Sequence, residues 1–326
     1  GDTAAYQGFV RHFAGDIMLN YAAQIWSSDL VFPLLHELAC KKVFVPCGYS
    51  ALHDPRFRAY FARMPEVLQA YDEVVYLSET YQDRRFAQHS GAGDGTVIGN
   101  GASADEFGVP ASGFREAFGV TTKRMFICVA NLMDDKGQRE VYDAFQAARV
   151  TDATLVFIGT EVTRYASGAM RTRPGLAYGL RRKLNVARWE FLESRSDRHR
   201  LELHSRPGTA VVILAGVPRE LVLAAYAEAD LFLFASRVEC APLVIYETMA
   251  AGTPFITTCV GNVAELPGGV VVDGPAQMAA EIDRLCDDER TRMELSRVGR
   301  DAWRKDHTWG SIVDRYERLY REVLGG

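Results

Sequence analysis

The sequence predicts an α/β protein made of two Rossmann-like halves, each with a parallel sheet covered by helices. The first observation is that short, β-rich apolar runs alternate with longer helical stretches through the 326 residues. This order is typical of parallel sheets, because each strand returns to the next through a helix. The second observation is the turn-forming run Gly99-Asn-Gly-Ala-Ser, which we expect to close the first half. The chain length also suits two domains.

The elements of both halves follow from apolar runs bounded by turn residues. In the first half we predict strands at Ile17–Tyr21, Val43–Val45, Val74–Leu77 and Thr96–Ile98, and helices at Leu30–Lys41, Arg56–Gln69 and Thr80–Gln88. In the second half we predict strands at Met125–Ala130, Leu155–Gly159, Val211–Leu214, Leu231–Phe234, Phe255–Thr257 and Val270–Val272. The clearest helices there are Gln138–Ala148, Arg219–Ala229 and Leu243–Ala251, and apolar residues at helical spacing predict a last helix over Thr308–Leu324.

The composition excludes several classes of protein. A hydrophobic fraction of 48% and a charged fraction of 24% are those of an ordinary globular protein. The net charge of −5 gives no reason to expect a nucleic-acid partner. No apolar run is long enough to span a bilayer, and no signal-like start is present. The six cysteines form no Cys-x-x-Cys pair, so we expect a reduced, cytoplasmic protein without a zinc site.

One segment is strongly basic. Residues 163–206 contain eleven Arg and Lys but only four Asp and Glu, so the segment carries +7 and the rest of the chain −12. Two interpretations stay open. The segment is either a solvated helix surface or a patch for an anionic acceptor, a pyrophosphate lipid or an acidic membrane face. The second interpretation predicts peripheral contact with the inner face of the membrane.

The stretch after the predicted strand Leu231–Phe234 combines two carboxylates with the start of a helix. Glu239 and Glu247 lie eight residues apart, and Pro242 suits the first helical position, where its missing N–H costs nothing. A helix start of this kind attracts a phosphate, because its first amides lack partners within the helix. Those amides belong to Leu243, Val244 and Ile245. Glu247, about one turn further on, could accept hydrogen bonds from the vicinal hydroxyls of a ribose, so the stretch suggests a nucleotide-sugar site.

The same stretch resembles the signature of family-four retaining glycosyltransferases, which have the two-domain GT-B fold. These enzymes carry two glutamates at this spacing, followed by a run similar to Glu247-Thr-Met-Ala-Ala-Gly-Thr-Pro. The resemblance implies that Glu247 holds the ribose hydroxyls and that Glu239 faces the donor sugar. It also implies an acceptor-side domain over residues 1–107, a nucleotide-sugar domain over 108–304, and a helix over 305–326 that packs back on the first domain. Ligands of such sheets bind beyond the carboxyl ends of the strands, so we expect the site in the interdomain cleft.

Two further places carry the resemblance. The stretch Ala130-Asn-Leu-Met-Asp-Asp-Lys-Gly resembles the family's strand–loop–Lys-Gly element, which implies that Lys136 contacts the diphosphate. The family often has an arginine where this chain has Asn131, and asparagine brings no charge. The departure implies weaker leaving-group stabilisation, a compensating arginine or lost activity. Gly216 and Val217 follow a predicted strand at the place where related proteins hold the base, and Asn100 to Phe107 matches a linker motif.

The first half matches the family only loosely. Related enzymes begin with a strand and a glycine-rich turn, and several dozen family residues have no counterpart before Gly1, so we expect an incomplete N-terminal domain. They also often place a histidine after the second predicted strand. Here that stretch is Pro46-Cys47-Gly-Tyr-Ser, and His53 is more typical of a loop histidine than of a sugar ligand.

The resemblance implies a retaining, metal-independent glycosyltransferase without a cofactor. It would transfer a sugar from a UDP- or GDP-sugar to a saccharide, lipid-linked or small-molecule acceptor. Two alternatives stay open: a non-catalytic nucleotide-sugar-binding module, which Asn131 and the short first half favour, and a sugar-nucleotide epimerase of the same architecture. A nicotinamide-dependent dehydrogenase would need Gly-x-Gly-x-x-Gly after its first strand, and the sequence contains no such pattern.

Overall fold

The computed structural model describes residues 1–109, 111–159, 200–203 and 205–325. The chain forms two compact units. The first unit contains Gly1–Gly101, Glu239–Pro242 and Asp306–Gly326, and the second contains Ala102–Val238 and Leu243–Lys305. Most of the basic segment predicted over residues 163–206, and with it the predicted membrane or acceptor patch, lies outside the described residues.

The first unit is built on a four-stranded parallel sheet. Its strands are β1 (Ile17–Tyr21), β2 (Lys41–Val45), β3 (Glu73–Tyr76) and β4 (Thr96–Val97), which pair in chain order. Its first four α helices are α1 (Thr3–Arg11), α2 (Trp26–Asp29), α3 (Arg58–Gln69) and α4 (Gln82–His89). A buried aromatic cluster fills the space between sheet and helices. In that cluster Phe44 stacks on Tyr71 with ring centroids 4.9 Å apart.

The helix predicted over Leu30–Lys41 is wrong. The structure has a short 3-10 helix at Phe32–Glu37, and Lys41 already begins β2. Pro33 lies in the first turn of the 3-10 helix, where its missing N–H is harmless, and the chain must then become extended to pair with β1. Six residues leave room for two tight turns only. A second 3-10 turn, Pro55–Phe57, precedes α3.

The second unit is built on a seven-stranded sheet in the order β11-β10-β9-β5-β6-β8-β7. The strands are β5 (Arg124–Val129), β6 (Ala153–Gly159), β7 (Arg200–Leu203), β8 (Thr209–Ala215), β9 (Leu231–Phe234), β10 (Phe255–Thr258) and β11 (Gly269–Val272). Neighbours pair in parallel except β7, which is antiparallel to β8 at the edge. This edge strand is an addition to the six predicted strands, and its alternation of arginine, leucine and glutamate gave too weak an apolar signal.

The helices of the second unit cover both faces of its sheet. Among the described residues they are α5 (Ala104–Phe107), α6 (Phe114–Ala117), α7 (Gln138–Ala147), α8 (Arg219–Glu228), α9 (Leu243–Ala251), α10 (Pro275–Asp287) and α11 (Glu289–Asp306), with 3-10 turns at Asp134–Lys136 and Val263–Glu265. The middle residues of the central strands are buried: Phe126 of β5 and Phe232 of β9 expose none of their surface. Because β6 and β8 lie on one side of β5, and β9 to β11 on the other, the strand order reverses between β5 and β9.

The last helix, α12 (Trp309–Leu324), belongs to the first unit. The Thr308 side chain caps it by accepting a hydrogen bond from the Ser311 amide at 3.1 Å. Ile312 and Leu319 are buried, and the Arg315 guanidinium donates to the carbonyl of Val97 at the end of β4. Among the helices of the described residues, none combines the length and the apolar character that a membrane span needs.

Candidate functional site

The point where the strand order reverses, between β5 and β9, is where open parallel sheets bind ligands beyond the carboxyl ends of their strands. Two chain segments leave the sheet there: residues 130–137 after β5, and residues 235–242 after β9. Most of the residues singled out from the sequence lie in these two segments and at the start of α9, which follows the second one.

The two segments are hydrogen-bonded to each other. The Arg237 amide donates to the carbonyl of Asp135 at 2.8 Å, and the Ser236 hydroxyl donates to the same oxygen at 3.2 Å. Gly137 has a φ of +67°, and a Cβ at this position would lie 1.9 Å from the carbonyl oxygen of Ala235. A glycine is therefore required for the turn that carries Lys136 to approach the end of β9.

The structure places Asn131 and Lys136 in the same loop, as the sequence predicts. Lys136 ends the 3-10 turn Asp134–Lys136 and is half-buried. The Asn131 side chain is exposed, and its backbone carbonyl accepts a hydrogen bond from Gln138 at 2.8 Å. A nearby cation that the sequence analysis missed is Arg237, whose guanidinium pairs with Glu140 of α7. Its signal in the sequence is a charged residue between the end of β9 and Glu239.

Helix α9 begins at Leu243, so the prediction that Pro242 occupies the first helical position is wrong by one residue. Pro242 is buried and comes immediately before the helix. Its fixed φ is also compatible with this flanking position, which is why the sequence did not distinguish the two. The first-turn amides, including those of Leu243 and Val244, have no acceptor within the helix. Since α9 follows β9, these amides lie at the carboxyl edge of the sheet.

Glu247, the fifth residue of α9, has its carboxylate fixed by two donors from α8. The Arg219 Nη2 atom lies 2.6 Å from Oε1, and the Tyr226 hydroxyl donates to Oε2 at 2.8 Å. The side chain of Glu247 is 16% exposed. The sequence analysis missed both donors; their only signal is that residues 219 and 226 are two turns apart on one helix face.

The predicted base-contacting residues lead directly into α8. Gly216 follows β8 with a φ of +67°, and its amide donates to the carbonyl of Gly159 at 3.3 Å. Val217 is half-exposed, and Pro218 precedes Arg219, the first residue of the helix. The loop after β8 and the Glu247 carboxylate are thus joined through α8.

The other glutamate of the motif, Glu239, belongs to a different unit from Glu247. Glu239 groups with the first unit, whereas Glu247 belongs to the second. The neighbouring Cys240 packs on Gly48, where an added Cβ would lie 2.8 Å from the Cβ of Cys240. Burial raises the pKa of the Tyr81 hydroxyl to about 12, and the charges of Cys240, Asp83 and Glu239 add to the rise.

The loops after β1 and β2 in the first unit hold four non-glycine residues with positive φ. These residues are Ala22, Gln24, Cys47 and Tyr49. Such conformations are uncommon and each costs on the order of 1–3 kcal/mol, so they concentrate at functional sites. The loops are joined by a hydrogen bond from the Ala23 amide to the carbonyl of Pro46, at 3.0 Å.

Cys47 lies in the second of these loops, where related enzymes often have a histidine. Burial raises the pKa of its thiol to about 11, so it is neutral near pH 7. His53 is exposed in the turn that follows. In the parts of the chain that the structure describes, no three His, Cys, Asp or Glu side chains are grouped so that they could hold a metal ion.

Comparison with known proteins gives the family. Residues 113–302, more than half of the chain, match the family model for glycosyl transferases group 1. The D-inositol 3-phosphate glycosyltransferase of Corynebacterium efficiens is 35% identical over 114 residues, which are 32% of this chain and 26% of that protein. Its counterpart from Corynebacterium diphtheriae is 32% identical over 133 residues, or 38% of this chain and 31% of that protein. The chain therefore matches about a quarter to a third of the length of these curated relatives.

Solved structures show the fold. The sucrose-phosphate synthase of Thermosynechococcus elongatus has a TM-score of 0.73 and 19% identity, over 99% of this chain and 77% of that one. Anabaena HepE in complex with UDP has a TM-score of 0.71 and 14% identity, over 98% of this chain and 82% of that one. These likenesses confirm the predicted GT-B fold. The match over residues 113–302 shows that the chain belongs to the glycosyl transferases group 1.

Proposed function

We propose that the protein is a retaining glycosyltransferase that transfers a sugar from a nucleotide-diphospho-sugar to a hydroxyl acceptor. The observation that carries the proposal is the grouping at the reversal point of the second sheet. There the Lys136 turn is bonded to the segment after β9, and α9 opens at the same edge with Glu247 half-buried beyond its first turn. Cationic and amide donors for a diphosphate, followed by a carboxylate for a diol, match the parts of a nucleotide sugar.

Each group has a proposed role. Glu247 accepts hydrogen bonds from the ribose hydroxyls, and Gly216 and Val217 contact the base. Lys136 and the first amides of α9 bind the diphosphate. Glu239 faces the donor sugar. Asn131, two residues after the end of β5, donates a neutral hydrogen bond to the phosphates.

The chemistry follows from where charge develops. As the glycosyl–phosphate bond breaks, negative charge grows on the leaving diphosphate and the sugar becomes oxocarbenium-like. Fixed donors aimed at the diphosphate stabilise that charge without having to reorganise. An acceptor hydroxyl then forms the new glycosidic bond on the face that the diphosphate leaves. Its proton passes to the departing diphosphate oxygen, and the nucleoside diphosphate is released. We propose that fixed cations and amides supply the stabilisation without a metal, in keeping with the resemblance to metal-independent enzymes.

For the donor we propose a UDP-sugar first and a GDP-sugar second. The solved Anabaena HepE structures, which share this fold, contain UDP and UDP-glucose. For the acceptor we propose a saccharide or a small phosphorylated polyol before a lipid-linked one, because relatives are named for inositol phosphate and sucrose phosphate.

A second candidate function is a nucleotide-sugar-binding module without turnover. Asn131 favours it, because a neutral amide stabilises a leaving diphosphate less than an arginine would. Incubation with UDP-sugars and an acceptor panel separates the candidates. Release of UDP with a glycosylated product supports the enzyme, and binding without product supports the module. A changed sugar that is still attached to UDP would instead indicate an epimerase.

The first prediction concerns Glu247→Gln. We expect UDP affinity to fall about 10- to 100-fold, because the loss of hydrogen bonds to a charged acceptor is worth roughly 1.5–3 kcal/mol. Titration calorimetry with UDP and GDP measures the change. The control is Glu294→Gln, an exposed glutamate of α11 that pairs with Arg297. Unchanged UDP and GDP affinity in Glu247→Gln would remove the ribose assignment and the function built on it.

A further inference from the structure

The carboxylate of Glu247 is held from two sides. Its Oε1 atom lies 2.6 Å from Nη2 of Arg219, and its Oε2 atom accepts the Tyr226 hydroxyl at 2.8 Å. A carboxylate offers about four acceptor positions. One position on each oxygen is therefore used, and one on each oxygen is left for a ligand.

Arg219 is in turn held by the short helix α5. Its Nε and Nη2 atoms lie 3.0 and 2.7 Å from the two carboxylate oxygens of Glu106, a bidentate arrangement. Its guanidinium carbon lies 6.0 Å from the centre of the Phe107 ring. The hydrogen bond to Arg219 lowers the pKa of Glu106, which keeps that carboxylate ionised. One guanidinium thus separates two carboxylates that would otherwise repel each other.

Tyr226 is fixed by packing. The residue is completely buried, its ring stacks on Phe232 at 5.8 Å, and it meets the edge of Phe107 at 6.2 Å. Its backbone carbonyl accepts the hydroxyl of Thr253 at 2.5 Å. A buried tyrosine hydroxyl needs a partner, and here that partner is Glu247.

We propose that Glu106, Arg219 and Tyr226 are positioning residues that hold the Glu247 carboxylate ready for the two ribose hydroxyls of the donor. The proposal rests on the proposed function. It also gives Glu106 and Phe107, the end of the linker motif, a role in the site: they fix the two side chains that fix Glu247.

The physical reason is preorganisation. A glutamate has three side-chain torsions, and a diol needs both carboxylate oxygens in one orientation. Ordering the side chain before the ligand arrives removes that entropy loss from binding. A purely structural ion pair would instead affect the stability of the protein without any dependence on the ribose hydroxyls.

The experiment compares two probes, UDP and 2′,3′-dideoxy-UDP, by titration calorimetry. The variants are Arg219→Gln, Tyr226→Phe and Glu106→Gln. The control is Arg297→Gln on α11. Like Arg219, Arg297 pairs with two carboxylates. Urea unfolding verifies that each variant is folded, and Arg219→Lys replaces Arg219→Gln if the latter is not.

We expect Arg219→Gln and Tyr226→Phe each to weaken UDP binding about 5- to 50-fold, and Glu106→Gln to weaken it less. Affinity for the dideoxy analogue should change less than about twofold in all three, and Arg297→Gln should leave both affinities unchanged. Equal losses for UDP and the analogue, or no loss for UDP, would overturn the positioning role.

Glu247→Gln separates this proposal from the proposed function. If that variant loses the preference for UDP over the dideoxy analogue while Arg219→Gln and Tyr226→Phe keep it, the positioning role alone is wrong. If Glu247→Gln shows the same preference as the parent protein, or the parent binds neither UDP nor GDP, both proposals are wrong. A parent that binds GDP instead of UDP is tested in the same way with GDP and 2′,3′-dideoxy-GDP.

Discussion

Gly137 shows how one missing side chain shapes the candidate site. Its φ of +67° turns the chain after Lys136, and the absent Cβ leaves room for the carbonyl of Ala235. Both conditions exclude any other residue without a shift of the backbone. The sequence marks this glycine only as part of a Lys-Gly pair. Its contact with Ala235, just after β9, depends on the pairing of β5 with β9. Local sequence does not encode that pairing.

The second prediction is that Gly137→Ala destabilises the protein more than Gly119→Ala. Gly119 has a similar φ of +63°, but an added Cβ there meets no atom within 4 Å. Gly119→Ala should therefore lower the free energy of unfolding by about 1–2 kcal/mol, the backbone cost alone. Gly137→Ala should lose about 1–3 kcal/mol more through the clash with Ala235. Urea unfolding measures both, and equal losses would contradict the close approach.

The third prediction concerns Lys136→Ala. We expect turnover to fall at least tenfold, since a fixed cation near the leaving diphosphate stabilises the transition state, while stability changes by less than about 1 kcal/mol. Lys123→Ala is the matched control, because Lys123 is an exposed lysine just before β5, and Lys136 lies in the loop that follows the other end of that strand. Steady-state kinetics with saturating acceptor decides. Turnover equal to the parent's would remove Lys136 from the diphosphate site.

At the scale of elements, strong local signals predicted the central parts of the fold. Strand β9 and helix α9 have the predicted bounds, Leu231–Phe234 and Leu243–Ala251, although Pro242 flanks the helix instead of opening it. The signals are four consecutive apolar residues and a glycine, Gly252, after the helix. Elements without such signals were missed or misassigned: the charged edge strand β7, and the 3-10 helix that begins beside Pro33.

The site shows the same division. Lys136 and Glu247 could be singled out as candidates because their sequence neighbours carry the resemblance. Arg219 and Tyr226 could not, because their hydrogen bonds to Glu247 arise from the packing of α8 against α9. Positive φ at Cys47 and Tyr49 was equally hidden, since nothing in a cysteine or a tyrosine indicates that conformation.

The fourth prediction concerns His307, just before α12. Burial is the largest effect and lowers the pKa of its imidazole below 6.5. The charge of Arg315 also lowers this pKa, whereas the charge of the neighbouring Asp306 raises it. The unfolded chain then binds this proton more readily than the folded protein. Stability should be full above about pH 6.5 and decline as the pH falls below it.

Urea unfolding of the parent and of His307→Gln at pH 7.5 and 5.0 tests this dependence. Glutamine cannot take up a proton in this range, so the variant should lose less stability between the two pH values than the parent. Equal losses in both proteins would show that other groups govern the acid response.

At the scale of the whole molecule, the first unit is assembled from three separate stretches of chain. Residues 239–242 and 306–326 join the N-terminal hundred residues, whereas the second unit is interrupted only once by such a stretch. The predicted boundaries, at residues 107 and 304, place Glu239 and Glu247 in the same domain. Apolar periodicity detects helices and strands but does not tell which unit a four-residue turn packs with.

The fifth prediction is that deletion of residues 306–326 weakens the first unit selectively. The deletion removes the buried Ile312 and Leu319 and the hydrogen bond from Arg315 to Val97. Hydrogen exchange should accelerate at least tenfold in β1–β4 and stay within about twofold in β5, β6 and β8–β11. Equal acceleration in both sheets, or none, would contradict the assignment of α12 to the first unit.

The close contact between Cys240 and Gly48 affects how chimaeras of such proteins should be designed. A graft that exchanges the N-terminal hundred residues and the terminal helix with those of a homologue would leave the Glu239–Pro242 turn behind, facing a foreign loop. Any side chain that the homologue carries at the position of Gly48 would collide with Cys240. Crossover points placed at Val238 and Leu243 would let the four residues travel with the lobe that accommodates them.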